Sequence, residues 1–403
     1  MKYIVLLADG MADYPMEALG GKTPLEAVSL PHINGLARRG EVGMVQTIPA
    51  GMSPGSDTAN LSVMGYAPEI YHTGRSPLEA ASMGVEMKPT DITFRCNLVT
   101  VTDEADYSAK TMVDHSSGEI TTEEARELIG FLRTHLENDF LKLYPGVSYR
   151  HLLVWDQGPE DFSLTPPHDI LDQPVAAHLP QGSGAAVILG LMEKSHQLLK
   201  DHPVNLARQA RGLRPANSAW IWGEGKKPRL DSFKDKYGLE GAVISAVDLI
   251  NGIGVCAGLE PIVVPGATGT IHTNFAGKAQ GAIDALTGGK DFVYIHLEAP
   301  DECGHQGDLA GKMKSMELID EKVVAPILAA LDAREMPYRF LVLPDHRTPI
   351  VRRTHTSEPV PYVLFDSTRV QPERDQAFTE PSGEASGNYF ASGHGLMDYF
   401  IKG

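Results

Sequence analysis

Cysteine is scarce. Cys96, Cys256 and Cys303 are the three in 403 residues, and their spacing offers no paired framework. That excludes a disulfide scaffold and fits a reducing compartment. Positive charge is also in deficit, because 35 Lys and Arg against 52 Asp and Glu leave a formal charge of -17. Such a balance argues against a nucleic-acid footprint, which needs clustered cations to neutralise phosphates. An anionic substrate would have to be met by locally placed cations or metals. Nowhere is there an uncharged apolar run of about 18 residues, so no transmembrane helix is expected. The short run Met1 to Leu7 stops at Asp9 with no small-residue cleavage site, and reads as a buried strand in a cytoplasmic protein.

What is present suits a folded protein of two domains: 42% apolar and 22% charged residues, with no repeat and no low-complexity segment. Apolar runs of strand length recur at Tyr3–Ala8, Phe292–Leu297, Arg339–Leu343 and Val360–Phe365. Their unbroken character predicts strands buried on both faces. Between them, Met313, Met316, Ile319, Val323 and Ile327 recur at three- or four-residue steps and predict a helix over Lys312–Leu331. Strands alternating with helices imply an α/β fold, a mainly parallel sheet sandwiched by helices. The middle differs. A strand at Ile92–Asp103, a helix at Thr121–Glu137 and a Pro-, His- and Asp-rich stretch at Pro159–Pro180 predict a smaller inserted α+β domain. The expected division is a discontinuous core of 1–94 and 218–403 around an insert of 95–217.

In parallel sheets, ligands gather beyond the carboxyl ends of the strands. Asp9 follows the first strand, Asp301 and His305 follow Phe292–Leu297, and Asp345 with His346 follow Arg339–Leu343. Each alone has a bland reading as a cap or turn former. Together they form a mixed carboxylate and imidazole set, which suits a catalytic metal site with open positions and not a cysteine-rich structural zinc site. Two divalent ions about 4 Å apart can hold both oxygens of a phosphoryl transfer. In Gly55-Ser56-Asp57-Thr58-Ala59-Asn60, a turn-forming Pro54-Gly55 precedes a helix-compatible stretch. Ser56 there reads either as a simple N-cap or, beside metals, as a nucleophile.

Asp9-Gly10, the Gly55–Asn60 block, Gly74-Arg75-Ser76-Pro77-Leu78-Glu79-Ala80, Arg95-Cys96-Asn97-Leu98, Glu298-Ala299-Pro300-Asp301, Asp345-His346 and His355-Thr356-Ser357-Glu358-Pro359-Val360-Pro361 keep one order along the chain. On these blocks the sequence resembles the archaeal-type branch of the cofactor-independent phosphoglycerate mutases, in the alkaline phosphatase superfamily. The resemblance implies an isomerase interconverting 2- and 3-phosphoglycerate through a phosphoserine on Ser56, with no bisphosphoglycerate. It implies one ion on Asp301, His305 and His355, and a second on Asp9, Ser56, Asp345 and His346. Manganese is the first expectation, with magnesium or zinc as alternatives. His355 precedes its strand, so it reaches this edge only if Val360–Phe365 runs antiparallel; Pro361 suggests an edge strand. His394 is its rival.

A mutase must also retain glycerate, so the insert is expected to supply cations. Arg211 and Arg214 resemble an arginine pair that contacts phosphoglycerate in the family's other branch. Arg150, Asp114 and His115 are further candidates, the last two for the alcohol proton. Lys278 reads either as a neutraliser of the phosphoserine or as a surface lysine. The competing function is a metal-dependent phosphatase or phosphonate hydrolase. No Arg stands where a sulfatase needs one after Ser53-Pro54, and no Gly-x-x-x-x-Gly-Lys loop for ATP is present. Nucleic acid and membrane are excluded as partners, and the oligomeric state is left open.

Overall fold

The four apolar runs lie side by side in the middle of one eight-stranded sheet. Its order is Glu260–Pro261, Gly241–Ile244, Phe292–Leu297, Lys2–Ala8, Tyr338–Leu343, Val360–Asp366, Glu41–Val45 and Tyr389–Phe390. Residues Ile4 to Ala8 are fully buried, as an unbroken apolar strand covered on both faces requires. The computed structural model describes residues 1–369 and 372–403. Among the described strands of this sheet, Val360–Asp366 alone runs against its two neighbours, and the other pairings are parallel.

That reversal is what brings His355, in the loop that leads into this strand, to the carboxyl ends of the others. The strand is interior, however, and not at an edge. Pro361 is tolerated because it faces Met44, whose own N–H donates to Asn388 on the far side. The missing donor of Pro361 therefore points past the last residue that pairs with Tyr338–Leu343, where no ladder bond is lost.

The predicted helix is present as Leu309–Ile319 and Ala325–Asp332, joined by a π turn at Asp320–Val324. Pro326 explains the turn: its ring and missing N–H break the regular ladder, and the widened turn accommodates both. Met316, Ile319, Val323 and Ile327 are fully buried against the sheet.

The chain forms two units, Met1–His72 with Arg229–Gly403, and Thr73–Pro228. The second therefore begins before the expected residue 95 and ends after 217. Two features account for this. The helix Ser76–Ser82 is fastened to the insert's own sheet, Ser76 donating to Thr93 O at 3.0 Å. The run at Trp220, which reads as a returning core strand, is Ser218–Lys226, paired antiparallel with Asp91–Val101. This second unit holds a five-stranded antiparallel sheet whose Phe94, Cys96 and Leu98 face helices Thr122–Leu136 and Ala185–Leu199. Arg95 and Asn97 alternate with them and so occupy the opposite face.

In the first unit, Lys312 is fully buried. It donates to Asp13 Oδ2 at 2.7 Å, Thr348 O at 2.8 Å and Ala12 O at 3.3 Å, joining the loops after two neighbouring strands. Lys312→Ala should cost about 3–5 kcal/mol by stranding the Asp13 charge in the core. Denaturant unfolding of this unit measures it, and an unshifted midpoint would show that the pair stabilises nothing.

Candidate active site

Asp9 ends the first strand, and Gly10 follows with φ 61°, a conformation that costs a side-chain-bearing residue. A Cβ at Gly10 would come within 2.7 Å of Asp301 Oδ1, so glycine also lets the loop approach that carboxylate. Its N–H donates to Asp345 Oδ1 at 3.2 Å, tying the ends of adjacent strands together. Asp301 lies on the helix Ala299–Gln306, directly after the strand Phe292–Leu297, and His305 stands one turn further on.

These elements bring seven side chains into one cluster. His305 Nε2 is 3.3 Å from Asp301 Oδ2 and 2.9 Å from His355 Nε2, and His355 Nε2 is 3.4 Å from Asp301 Oδ1. His346 Nε2 lies 3.4 Å from Asp345 Oδ2, 3.7 Å from Asp9 Oδ1 and 3.3 Å from Ser56 Oγ. Two sets, Asp301/His346/His355 and Asp9/Asp345/His346, each have ligand atoms within 4.8 Å of one another. His346 thus stands within reach of both. His394, at the start of the helix Gly393–Lys402, belongs to neither set.

The chemistry of this cluster fits divalent cations. Asp9 Oδ1 is buried without a hydrogen-bond partner. Burial, reinforced by Asp345 and Asp301, pushes the Asp9 carboxyl well above the ordinary carboxylate range. Burial also opposes the charge on Asp301, but hydrogen bonds from His305 and His355 outweigh it and hold that carboxyl well below. Carboxylates crowded in this way need positive charge, and the groups able to carry it that the chain sets directly against them are imidazoles. The imidazoles are orientated for it. His305 Nδ1 sits 3.0 Å from Arg353 O, an acceptor, which leaves Nε2 pointing at Asp301. Thr348 donates its hydroxyl to Asp301 Oδ1 and stands 3.3 Å from His346 Nδ1, so it can accept the Nδ1 proton and leave His346 Nε2 a free lone pair. Burial lowers the His346 pKa, which favours that neutral form. Asp9 Oδ2 receives a contact from fully buried His296 Nε2 at 3.0 Å, and His296 Nδ1 faces Ser245 Oγ at 3.2 Å.

Ser56 is the first residue of the helix Ser56–Val63, and Gly55, not Ser56, is its N-cap. The hydroxyl caps nothing, so the bland reading of Ser56 does not hold. Lys278 is not a surface residue either. It is fully buried, donates to His296 O at 2.9 Å, and has its pKa lowered to about 8 by burial, against the pull of Glu298.

In the second unit, Arg211 is exposed and ion-paired with Glu124, which also holds buried Arg208. Arg214 is paired with Asp114. Burial disfavours the charge on Asp114, but N–H groups of Ser116 and Gly118, the Ser116 hydroxyl and Arg214 together lower its pKa and occupy its oxygens. His115 and Arg150 lie on the sheet face opposite the helices, in company that sequence reasoning missed. Arg95 stacks over Trp222 at 4.4 Å and pairs with Glu79 at 3.1 Å. Trp222 meets the His168 ring at 5.3 Å, His168 meets His115 at 6.1 Å, and His115 meets Tyr149 at 5.7 Å beneath Arg150. Asn97 links them, accepting from Trp222 Nε1 at 3.0 Å and donating to His115 O at 3.1 Å. The signal was the alternation of polar Thr93, Arg95 and Asn97 with apolar Phe94, Cys96 and Leu98 along one strand.

A family model described as 2,3-bisphosphoglycerate-independent phosphoglycerate mutase matches residues 37–205. The chain is 49% identical over 401 residues to the "Probable 2,3-bisphosphoglycerate-independent phosphoglycerate mutase" of Geobacter sulfurreducens, covering 100% of both. It is 48% identical over 403 residues to the 2,3-bisphosphoglycerate-independent phosphoglycerate mutase of Methanothrix thermoacetophila, again covering 100% of both. Among solved structures, a Pyrococcus horikoshii protein superposes with a TM-score of 0.82 at 27% identity, covering 100% of this chain and 97% of the other. The cofactor-independent phosphoglycerate mutase of Thermoplasma acidophilum superposes with 0.69 at 26%, covering 100% and 99%.

The hydrogen bond to Asp301 raises the His305 pKa to about 9, against its burial, so in the metal-free protein this ring keeps its proton at neutral pH. A cation held by His305 would have to displace that proton. Apparent Mn2+ affinity should therefore rise with pH, by up to tenfold per unit, and level off above about 9. Calorimetric titrations across this range test it, and a pH-independent affinity would separate His305 from the cation. The same shift makes the protonated ring stabilise the metal-free fold below about pH 6.5, a contribution lost as pH rises through about 9.

Proposed function

The chain belongs to the family of 2,3-bisphosphoglycerate-independent phosphoglycerate mutases and interconverts 2- and 3-phosphoglycerate without a bisphosphoglycerate cofactor, and we propose that it does so through a phosphoserine on Ser56 beside two divalent cations. The observation that carries this reading is the hydroxyl of Ser56, which leaves its helix uncapped and lies 3.3 Å from His346 Nε2 in a cluster of buried carboxylates.

We assign Asp9, Ser56, Asp345 and His346 to one cation and Asp301, His305 and His355 to the other. The mixed oxygen and nitrogen donors suit manganese first, with magnesium or zinc as alternatives. When bound, the cations lower the pKa of the serine hydroxyl and draw charge from the phosphoryl oxygens. The chain's own groups do the rest. Ser56 Oγ gives up its proton and forms the new bond to phosphorus as the bond to the glycerate oxygen breaks, so that the proton lost by serine balances the one the leaving oxygen takes up. The N–H groups at the start of the helix Ser56–Val63 face the phosphoryl oxygens. The glycerate alkoxide takes a proton, and the other hydroxyl later loses one when it receives the phosphoryl group back.

The second unit is proposed to retain glycerate between these steps. Arg95, Arg150 and Arg214 offer planar donors for a carboxylate, and His115, whose Nδ1 is buried without a partner, is the candidate for the alcohol proton. Asp114, with its oxygens already occupied, serves instead to orientate Arg214. Arg211, committed to Glu124, is placed at the margin of this set. Lys278, held through His296 O behind Asp9, supplies positive charge to the carboxylate cluster. A phosphatase of the same metal chemistry needs no such cationic face.

Purified protein with Mn2+ and 3-phosphoglycerate should yield 2-phosphoglycerate with little free phosphate. Phosphate released without isomer would defeat the retention of glycerate. Ser56→Ala should lower kcat by at least about a thousandfold. Arg150→Gln should raise KM by roughly 10- to 100-fold, corresponding to about 1.5–3 kcal/mol for a charged hydrogen bond. An unchanged KM would return Arg150 to the solvated surface.

A further inference from the structure

Asn60 is fully buried one turn beyond Ser56, in the interior of a helix. Asparagine is a poor choice there, because its amide competes for backbone hydrogen bonds. Here the amide is fully used. Nδ2 donates to Ser56 O at 2.8 Å and to Asp345 Oδ2 at 3.0 Å, and Oδ1 accepts from the Tyr294 hydroxyl at 2.7 Å. The partners fix its orientation: a carbonyl and a carboxylate only accept, so the reversed amide would set oxygen against oxygen twice. Tyr294 stands fully buried on the strand Phe292–Leu297 and commits its proton to Asn60. The remaining oxygen of Asp345 is equally constrained, accepting from Gly10 N at 3.2 Å and His346 N at 2.9 Å.

We propose that Asn60 is a positioning residue whose amide ties the orientation of Asp345 to the backbone of the turn carrying Ser56, with Tyr294 holding the amide in place. This rests on the reading of Asp345 as a cation ligand. The serine and the carboxylate lie 289 residues apart in sequence number, and Asn60 makes their placement one event. An amide suits this position because it donates to Asp345 without adding charge beside Asp9 and Asp301. An aliphatic residue would leave Asp345 Oδ2 without its hydrogen bond from the helix, so that only Oδ1 stayed fixed by backbone N–H groups.

The test titrates Mn2+ calorimetrically into the full-length parent, Asn60→Ala and Tyr294→Phe, with thermal melting as the check on folding. Asn60→Ala should weaken one Mn2+ site by about 10- to 100-fold, and Tyr294→Phe should weaken the same site by less. Activity lost by Asn60→Ala at limiting Mn2+ should return at saturating Mn2+ with KM for phosphoglycerate unchanged, a recovery that general unfolding would not give. Unchanged Mn2+ affinity in folded Asn60→Ala would overturn the proposal. If that variant does not fold, unchanged affinity in Tyr294→Phe does so. A parent that binds no Mn2+ would overturn the reading of Asp345 as a ligand and the proposal with it.

Discussion

Three carboxylates, Asp9, Asp301 and Asp345, are nearly or fully buried together at the ends of three neighbouring strands. Burying one such charge is costly, and burying several side by side is worse unless something neutralises them. Much of the first unit can be understood as the framework that keeps them there. Gly10 has no side chain where one would collide with Asp301, and its N–H reaches Asp345. Thr348 joins Asp301 to His346, and Lys312 holds the Thr348 carbonyl while answering the charge of Asp13. Lys312 is committed to Asp13, Ala12 O and Thr348 O, and the groups set directly against the three carboxylates are imidazoles. A folded protein that retains such an imbalance has a site built for cations.

The centre of the fold was legible because its strands are apolar without interruption, a pattern that only burial on both faces tolerates. The helix Leu309–Asp332 was legible from its period, although its π turn was not, since Pro326 alone does not say whether a helix stops, kinks or widens. The division between units was harder. Ser218–Lys226 reads like any buried strand, and its partner Asp91–Val101 lies over a hundred residues earlier. Nothing local distinguishes a strand that returns to the first sheet from one that completes the second. The same holds for Pro361: a proline in a strand pattern points to an edge, yet here the ladder on that side has already ended.

At the site, the residues proposed as cation ligands were legible as carboxylates and imidazoles just past strands, and the resemblance then gathered them into two sets. The residues that orientate them were not. His296 lies inside the strand Phe292–Leu297, where it reads as one polar interruption of an apolar run. Asn60 and Tyr294 look like an unremarkable helix residue and a core aromatic. Their meaning depends on distances across the fold, of 234 and 285 positions in the chain, that no local pattern encodes. Residue type announces which atoms can bind a metal, whereas packing decides which atoms point at it.

On the proposed function, the second unit carries the distinction between moving a phosphate and merely removing it. Its sheet is apolar on the face turned to its helices, as any such sheet must be, but the opposite face gathers Arg95, Arg150, His115 and His168 around Trp222 and Tyr149. Arg95 is largely buried there, and burial lowers its pKa even with Glu79 alongside. Such an arrangement is poor for stability, since neighbouring cations repel and a desolvated guanidinium is costly. Arg211 and Arg208, away from the aromatic rings, share Glu124 as their partner. A face that sets guanidinium groups beside aromatic rings is suited to a small carboxylate or phosphate. That is the demand a mutase adds to the chemistry of a phosphatase, because its dephosphorylated intermediate must stay bound.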